Sequence, residues 1–144
     1  MSGAEAKGPV LALREAIVAA LARDAALTAM LGGATIHDEA PRGARGVYAV
    51  FSETRLRDWS TGSDQGHEQD VAISVWSVEG GARMALRAAA RIGELLDGAA
   101  LTPDGHRLVN LRVTSSETRR DTRADRSRVV LRLRAVTEVL STRN

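Results

Sequence analysis

The sequence predicts an α+β domain: a mainly antiparallel sheet of about four strands, two principal helices packed on one face, and a long C-terminal β-hairpin. Three observations predict it. Apolar residues recur at helical spacing in two separate stretches, 9–21 and 82–96. Strict apolar/polar alternation marks residues 69–78. Two further long alternating stretches close the chain, joined by a charged connection.

Residues 1–8 are small and polar and are expected to form a flexible tail ahead of a single domain at 9–144. Pro9 suits the first position of a helix, where its missing N–H would have had no partner. Val10, Leu13, Ile17 and Leu21 then form an apolar stripe flanked by Leu11 and Val18, leaving Arg14, Glu15 and Arg23 for solvent. Asp24 is placed to cap a short helix at Ala25–Leu31, which Gly32-Gly33 stops.

Thr35–Glu39 is a short extended piece, and Pro41–Gly46 is a loop of glycine and arginine. Val47–Phe51 is rich in strand formers, with extended character continuing to Trp59. Ser60–Gly66 is a polar loop, expected to be mobile. In the strand Gln69–Val78, Val71, Ile73 and Val75 share one face, with Ala72, Ser74 and Trp76 on the other. Gly80-Gly81 breaks it. Ala85, Ala88, Ala89, Ile92, Leu95 and Leu96 form a narrow stripe on a helix at Ala82–Leu96, whose alanines allow close approach to a sheet. Asp97-Gly98 ends it.

Strands Arg107–Thr118 and Ser127–Leu140 follow. In the second, Val129, Leu131, Leu133 and Ala135 oppose Arg132 and Arg134. The connection Arg119–Arg126 is too polar for a core, so the hairpin tip is expected to project.

Bulk properties narrow the function. The chain has 144 residues, enough for one domain, and a domain of this size hides roughly 68–70% of its unfolded surface. Hydrophobic residues make up 44% but aromatics only 3%, so the core must rest on Leu, Val, Ile and Ala. The absence of cysteine excludes disulfides, thiolate metal sites and thiol catalysis. No apolar run reaches the roughly 18–20 residues that cross a bilayer. Met1–Pro9 lacks a signal-peptide pattern, so a soluble cytoplasmic protein is expected.

Charge is uneven. Residues 1–100 hold 10 basic and 13 acidic side chains, whereas residues 101–144 hold 10 and 5. Every basic group in that last part is arginine, and Lys7 is the sole lysine. Such an end can bind phosphates or pair with carboxylates of neighbouring subunits, which suits the planar guanidinium fork.

Catalytic patterns are missing. His37-Asp38-Glu39 and His67-Glu68-Gln69-Asp70 place histidine beside carboxylates, but adjacent strand residues point to opposite faces. Both are read as solvated strand ends rather than metal sites, and His106 as the first residue after a turn. No nucleophile elbow, phosphate loop, dinucleotide fingerprint or zinc-protease helix is present. Neither an enzyme nor a cofactor is expected. The strongest cluster is Arg119, Arg120, Asp121, Arg123, Asp125 and Arg126, with Glu117 and Arg128 beside it. Subunit contact and a solvated tip are the leading readings, with direct DNA contact third because mixed charge weakens attraction to phosphates. Trp76 is expected in the core or on a sheet face. Trp59, beside the loop containing Asp64, is a candidate interface anchor.

The series Asp24-Ala25-Ala26-Leu27, Thr35–Pro41, Val47–Phe51, Glu68 with Val71–Ser77, Leu108–Leu111 and Arg132–Glu138 resembles the tail-completion or tail-terminator family of long-tailed, siphovirus-like phages, prophages and gene transfer agents. The resemblance spans roughly residues 9–139. It implies a subunit of a ring, commonly a hexamer, that caps the tail tube and joins it to a head-side stopper or connector. DNA would pass through its channel without sequence-specific binding. It also implies a place in the virion tail or neck, assembly in the host bacterial cytoplasm, no membrane, no cofactor and no catalytic residues. Ring closure needs two unlike patches on each subunit. The charged tip and the Ser60–Gly66 loop are candidates for one of them. Another head–tail adaptor, a small nucleic-acid-binding module and an unrecognised small enzyme are the competing readings.

Overall fold

The computed structural model describes residues 7–32, 36–78 and 81–140. The chain runs α1 (Pro9–Ala22), α2 (Ala25–Met30), β1 (Ile36–His37), β2 (Val47–Asp58), β3 (Gly66–Val78), α3 (Ala82–Leu96), β4 (His106–Asp121) and β5 (Arg126–Val139). The strands form one sheet in the order β1-β2-β3-β5-β4. All neighbours are antiparallel except β1, which pairs with β2 in parallel. The sheet therefore has five strands, the additional one being the two residues of β1. The expected tail at 1–8 falls largely outside the described residues, as do Gly33, Thr35 and Gly80; Lys7 itself pairs with Glu15 at 2.6 Å.

Alternation on the two central strands decides the layers. Val71, Ile73 and Val75 of β3 and Val129, Leu131, Leu133 and Ala135 of β5 share one buried face. The helices lie on that face, contributing Leu13, Ile17 and Leu21 from α1, Leu27 from α2, and Ala85, Ala88, Ala89, Ile92 and Leu96 from α3. Ala12 completes the buried stripe of α1, while Val10 is only half-buried. Alanine at three of the buried α3 positions removes the side-chain bulk that would hold a helix away from a sheet.

Two aspartates fasten the helical layer. The Asp24 carboxylate accepts from the Leu27 backbone N–H at 2.9 Å, capping α2, and binds Arg91 of α3 at 2.6 and 2.9 Å. The Arg91 guanidinium, with the Leu27 N–H, lowers the Asp24 pKa from 3.8 to about 2. Asp97, just after α3, accepts from the Val113 N–H at 2.9 Å and from Arg112 at 3.0 Å, so the helix end is tied to β4. The Val113 N–H, with Arg112 second, holds its carboxyl below the usual range.

The hairpin departs from expectation. Strand β5 is backed by β3 along its whole length, to the pair Val78↔Arg126. The strands also run further than the alternation suggested, to Asp121 and from Arg126, so only residues 122–125 reach past the sheet. Arg119, Arg120, Asp121 and Arg126 are strand residues instead of a projecting arm. Their ladder persists because β5, central in the sheet, fixes the register on both sides. Asp121 closes the turn by accepting from the N–H groups of Arg123 and Ala124, and Asp125 takes a left-handed φ of 47°.

Two outcomes follow. A Cβ added at Gly93, inside α3, would lie 3.9 Å from Val113 Cγ2 and 4.0 Å from Leu131 Cδ1, ordinary contact distances. Gly93→Ala should therefore raise stability in urea titration by about 0.5–1 kcal/mol through reduced unfolded-chain entropy. Asp24 has a depressed folded pKa, so its stabilisation is complete above 3.8 and is lost as pH falls toward about 2. Asp24→Asn should lower Tm at pH 7, and the gap from the unaltered protein should close on acidification through that window.

Candidate assembly surfaces

No described helix covers the second sheet face, and the strands furnish it with rows of complementary side chains. Register places Tyr48, Trp76 and Arg128 in one row, then Val50, Ser74 and Val130. Next come Glu53, Ala72 and Arg132, then Arg55, Asp70 and Arg134, and last Arg57, Glu68 and Val136. Tyr48 stacks on Trp76 with ring centroids 6.5 Å apart, and the guanidinium groups of Arg126 and Arg128 lie 4.8 and 5.1 Å from the Trp76 ring centroid. Trp76 thus sits on a sheet face, as its alternation requires.

One row further along, Arg132 of β5 reaches Glu53 of β2 at 3.3 Å, spanning the intervening strand. Ala72, in the same row, is buried although no helix is above it. Arginine stems can cover apolar sheet surface while their heads stay in water. An open groove of about 570 Å³, lined by Glu53, Arg55, Asp70, Thr114 and Arg132 among others, runs here. Its polar, shallow lining suits contact with another surface better than enclosure of a small molecule.

Glu68 overturns the reading of residues 67–70 as a solvated strand end. Its side chain is only 5% exposed, held between Arg57 and Arg134. Gln69, on the opposite face, is fully buried and donates to the Pro9 carbonyl at 3.1 Å, so it anchors the start of α1. The signal for Glu68 was a carboxylate set among arginines of the two adjacent strands, invisible until β2 and β5 are placed on either side of β3. Among the described residues, no group of three or more His, Asp or Glu side chains could hold a metal ion.

The sequence-chosen interface residues fall into two separate places. Arg119, Arg120, Asp121, Arg123, Asp125 and Arg126 surround the turn at one end of the sheet. Arg120 binds Asp125 at 2.9 Å and Ser127 Oγ at 3.1 Å, and Arg119 binds Glu117 at 3.2 Å. Trp59 and Asp64 lie at the other end, where β2 turns into β3. The two ends are roughly 40 Å apart along the strands. The structure therefore does not bring the tip and the loop into one patch.

Residues 59–65 are closed by hydrogen bonds from Trp59 N–H to the Gly66 carbonyl, Thr61 N–H to the Asp64 carbonyl, and Val139 N–H to the Gln65 carbonyl, each 2.8 Å. The Ser60 hydroxyl lowers the Asp58 pKa by donating to its carboxylate. Trp59 is 52% exposed, with the Arg134 guanidinium 5.4 Å from its ring centroid.

Comparison with known proteins gives a consistent outcome. A family described as tail completion protein gp17 matches residues 15–138. A chain in a solved structure of the virion of a native gene transfer agent particle is 33% identical, with a TM-score of 0.81; the match covers 90% of this chain and 96% of that one. A second solved chain is 17% identical over 96% of this chain and 100% of its own, with a TM-score of 0.55, and speaks to the fold alone. No curated protein sequence matches significantly.

The buried carboxylate yields a stability test. Glu68→Ala removes the buried carboxylate that accepts from both Arg57 and Arg134, and should lower unfolding free energy by about 1–3 kcal/mol in urea titration. Simultaneous replacement of Arg134 by leucine should recover part of that loss.

Proposed function

Because the chain belongs to the tail completion protein gp17 family, we propose that it is a structural subunit of the tail or neck of a phage-like particle, where copies close into a ring that terminates the tail tube. The ring is proposed to be a hexamer that joins the tube to the head-side stopper or connector and leaves a channel through which DNA passes. The observation that carries this reading is the 33% identical chain in a gene transfer agent virion, matched over nearly the full length of both chains.

Three physical features support it. The fold packs one apolar core under its helical layer, and the groove on its other face is open and polar. Its conspicuous exposed groups are paired arginines and carboxylates, a composition suited to specific contacts between protein surfaces. The charged tip and the Trp59 end are unlike each other and stand at opposite ends of the sheet. Unlike ends let one subunit meet a different neighbour at each end of its strands, as a piece lying between a tube and a head-side connector must. We assign Arg119, Arg120, Asp121, Arg123, Asp125 and Arg126 to contacts within the ring or with an adjoining ring. Trp59 and Asp64 are assigned to contacts at the opposite end.

Replacing Arg119, Arg120 and Arg123 together by alanine should leave the circular dichroism spectrum unchanged but reduce the yield of complete particles and the amount of this protein bound to them. Normal incorporation and normal particle yield would contradict the assignment of the tip.

A further inference from the structure

Two stretches of sheet edge have no neighbouring strand among the described residues. Strand β1 pairs with β2 only at Ala49 and Val50, which leaves Glu53–Asp58 as an open edge. At the other side of the sheet, the Gly98 N–H donates to the Leu111 carbonyl and Asp97 occupies the Val113 N–H. Past them, Ser115–Asp121 of β4 is open, and every residue in it is exposed. Each open stretch starts just after a bulge, between Phe51 and Glu53 on β2 and between Val113 and Ser115 on β4. An open edge presents a row of unpaired N–H and C=O groups.

We propose that these two edges pair with each other between neighbouring copies, so that the sheet of one subunit continues into the next; this deepens the ring reading above and rests on it. Direction permits it. Strands β2 and β4 run oppositely within the sheet, so two copies standing side by side, facing the same way, meet antiparallel. The contact is also head-to-tail, joining different edges, as closure of a ring demands.

Charge selects the register. Glu53, Arg55 and Arg57 share the open sheet face on β2, as Ser115, Glu117 and Arg119 do on β4. Placing Arg119 opposite Glu53 of the neighbour sets Glu117 opposite Arg55 and Thr118 opposite Thr54. A slip of two residues one way opposes Arg119 to Arg55; the other way opposes Glu117 to Glu53. Like charges facing across strands repel, so only the first of these three arrangements is complementary throughout. Edge charges of this kind usually prevent pairing; here they exclude the wrong registers and accept one. The existing partners of these groups, Arg132 for Glu53 and Arg119 for Glu117, are solvent-exposed and free to be shared.

The cysteine-free chain allows a direct test. Cysteines replacing Thr54 and Thr118 together should stand about 5 Å apart across the contact. In assembled particles, a short thiol cross-linker should convert this protein into multimers that run as a ladder on denaturing gels, while neither single variant forms more than the monomer. In parallel, Glu53→Arg and Arg119→Glu should each reduce incorporation into particles, and the two together should restore it. Absence of the ladder in particles that still carry a ring of this protein would overturn the edge pairing and leave the ring standing. Absence of the unaltered protein from purified particles would overturn both. If the double-cysteine chain does not fold, the charge-reversal set decides: no restoration in the double reversal refutes the register.

Discussion

Strand β5 must satisfy two environments at once, and the rest of the molecule is arranged around that constraint. One side of it, Val129, Leu131, Leu133 and Ala135, lies under the helices. The other side carries Arg126, Arg128, Val130, Arg132, Arg134 and Val136 on a face that no described helix covers. Because β3 and β4 flank it, its register cannot slip by one residue without exchanging the two sets of side chains, which would bury guanidinium groups and expose the core. The helical layer depends on this strand for its floor. The open face depends on it for four arginines.

That division explains which parts were legible in the sequence. Helices α1 and α3 were readable because their stripes repeat over several turns and end at Pro9, Gly81 and Asp97-Gly98. Strands β3 and β5 were readable because a residue between two environments alternates. Alternation does not reveal which strands are neighbours, and the errors arose there. The charged hairpin looked like an arm since residues 119–126 have almost nothing apolar to bury; Arg119, Arg120, Asp121 and Arg126 remain in the sheet because β3 continues beside β5 to its first residue. Glu68 and Gln69 looked solvated since they sit at the start of a strand between polar neighbours. Arg57, Arg134 and the Pro9 carbonyl, all remote in sequence, bury them.

The candidate surfaces were legible as composition and not as geometry. The tip cluster, Trp59 and Asp64 are where the sequence places charge and exposed aromatic surface, but it does not say that they occupy opposite ends of the same strands. The rows across β2, β3 and β5 could not be seen at all before register was known. Their chemistry bears on assembly. A sheet whose open face carries three rows of paired charges beside an aromatic row offers a partner many weak, direction-dependent pairs. Such a surface keeps a free subunit soluble and makes correct alignment the condition for association. The proposed ring at the end of a finished tube needs that discrimination.

Imaging tests the proposed architecture most directly. Electron cryo-microscopy of intact particles, focused on the junction between tail and head, should show one closed ring built from this fold at the head-side end of the tail tube, with an open centre. Finding the fold repeated along the tail shaft, in the capsid wall, or as isolated unringed copies would contradict the account.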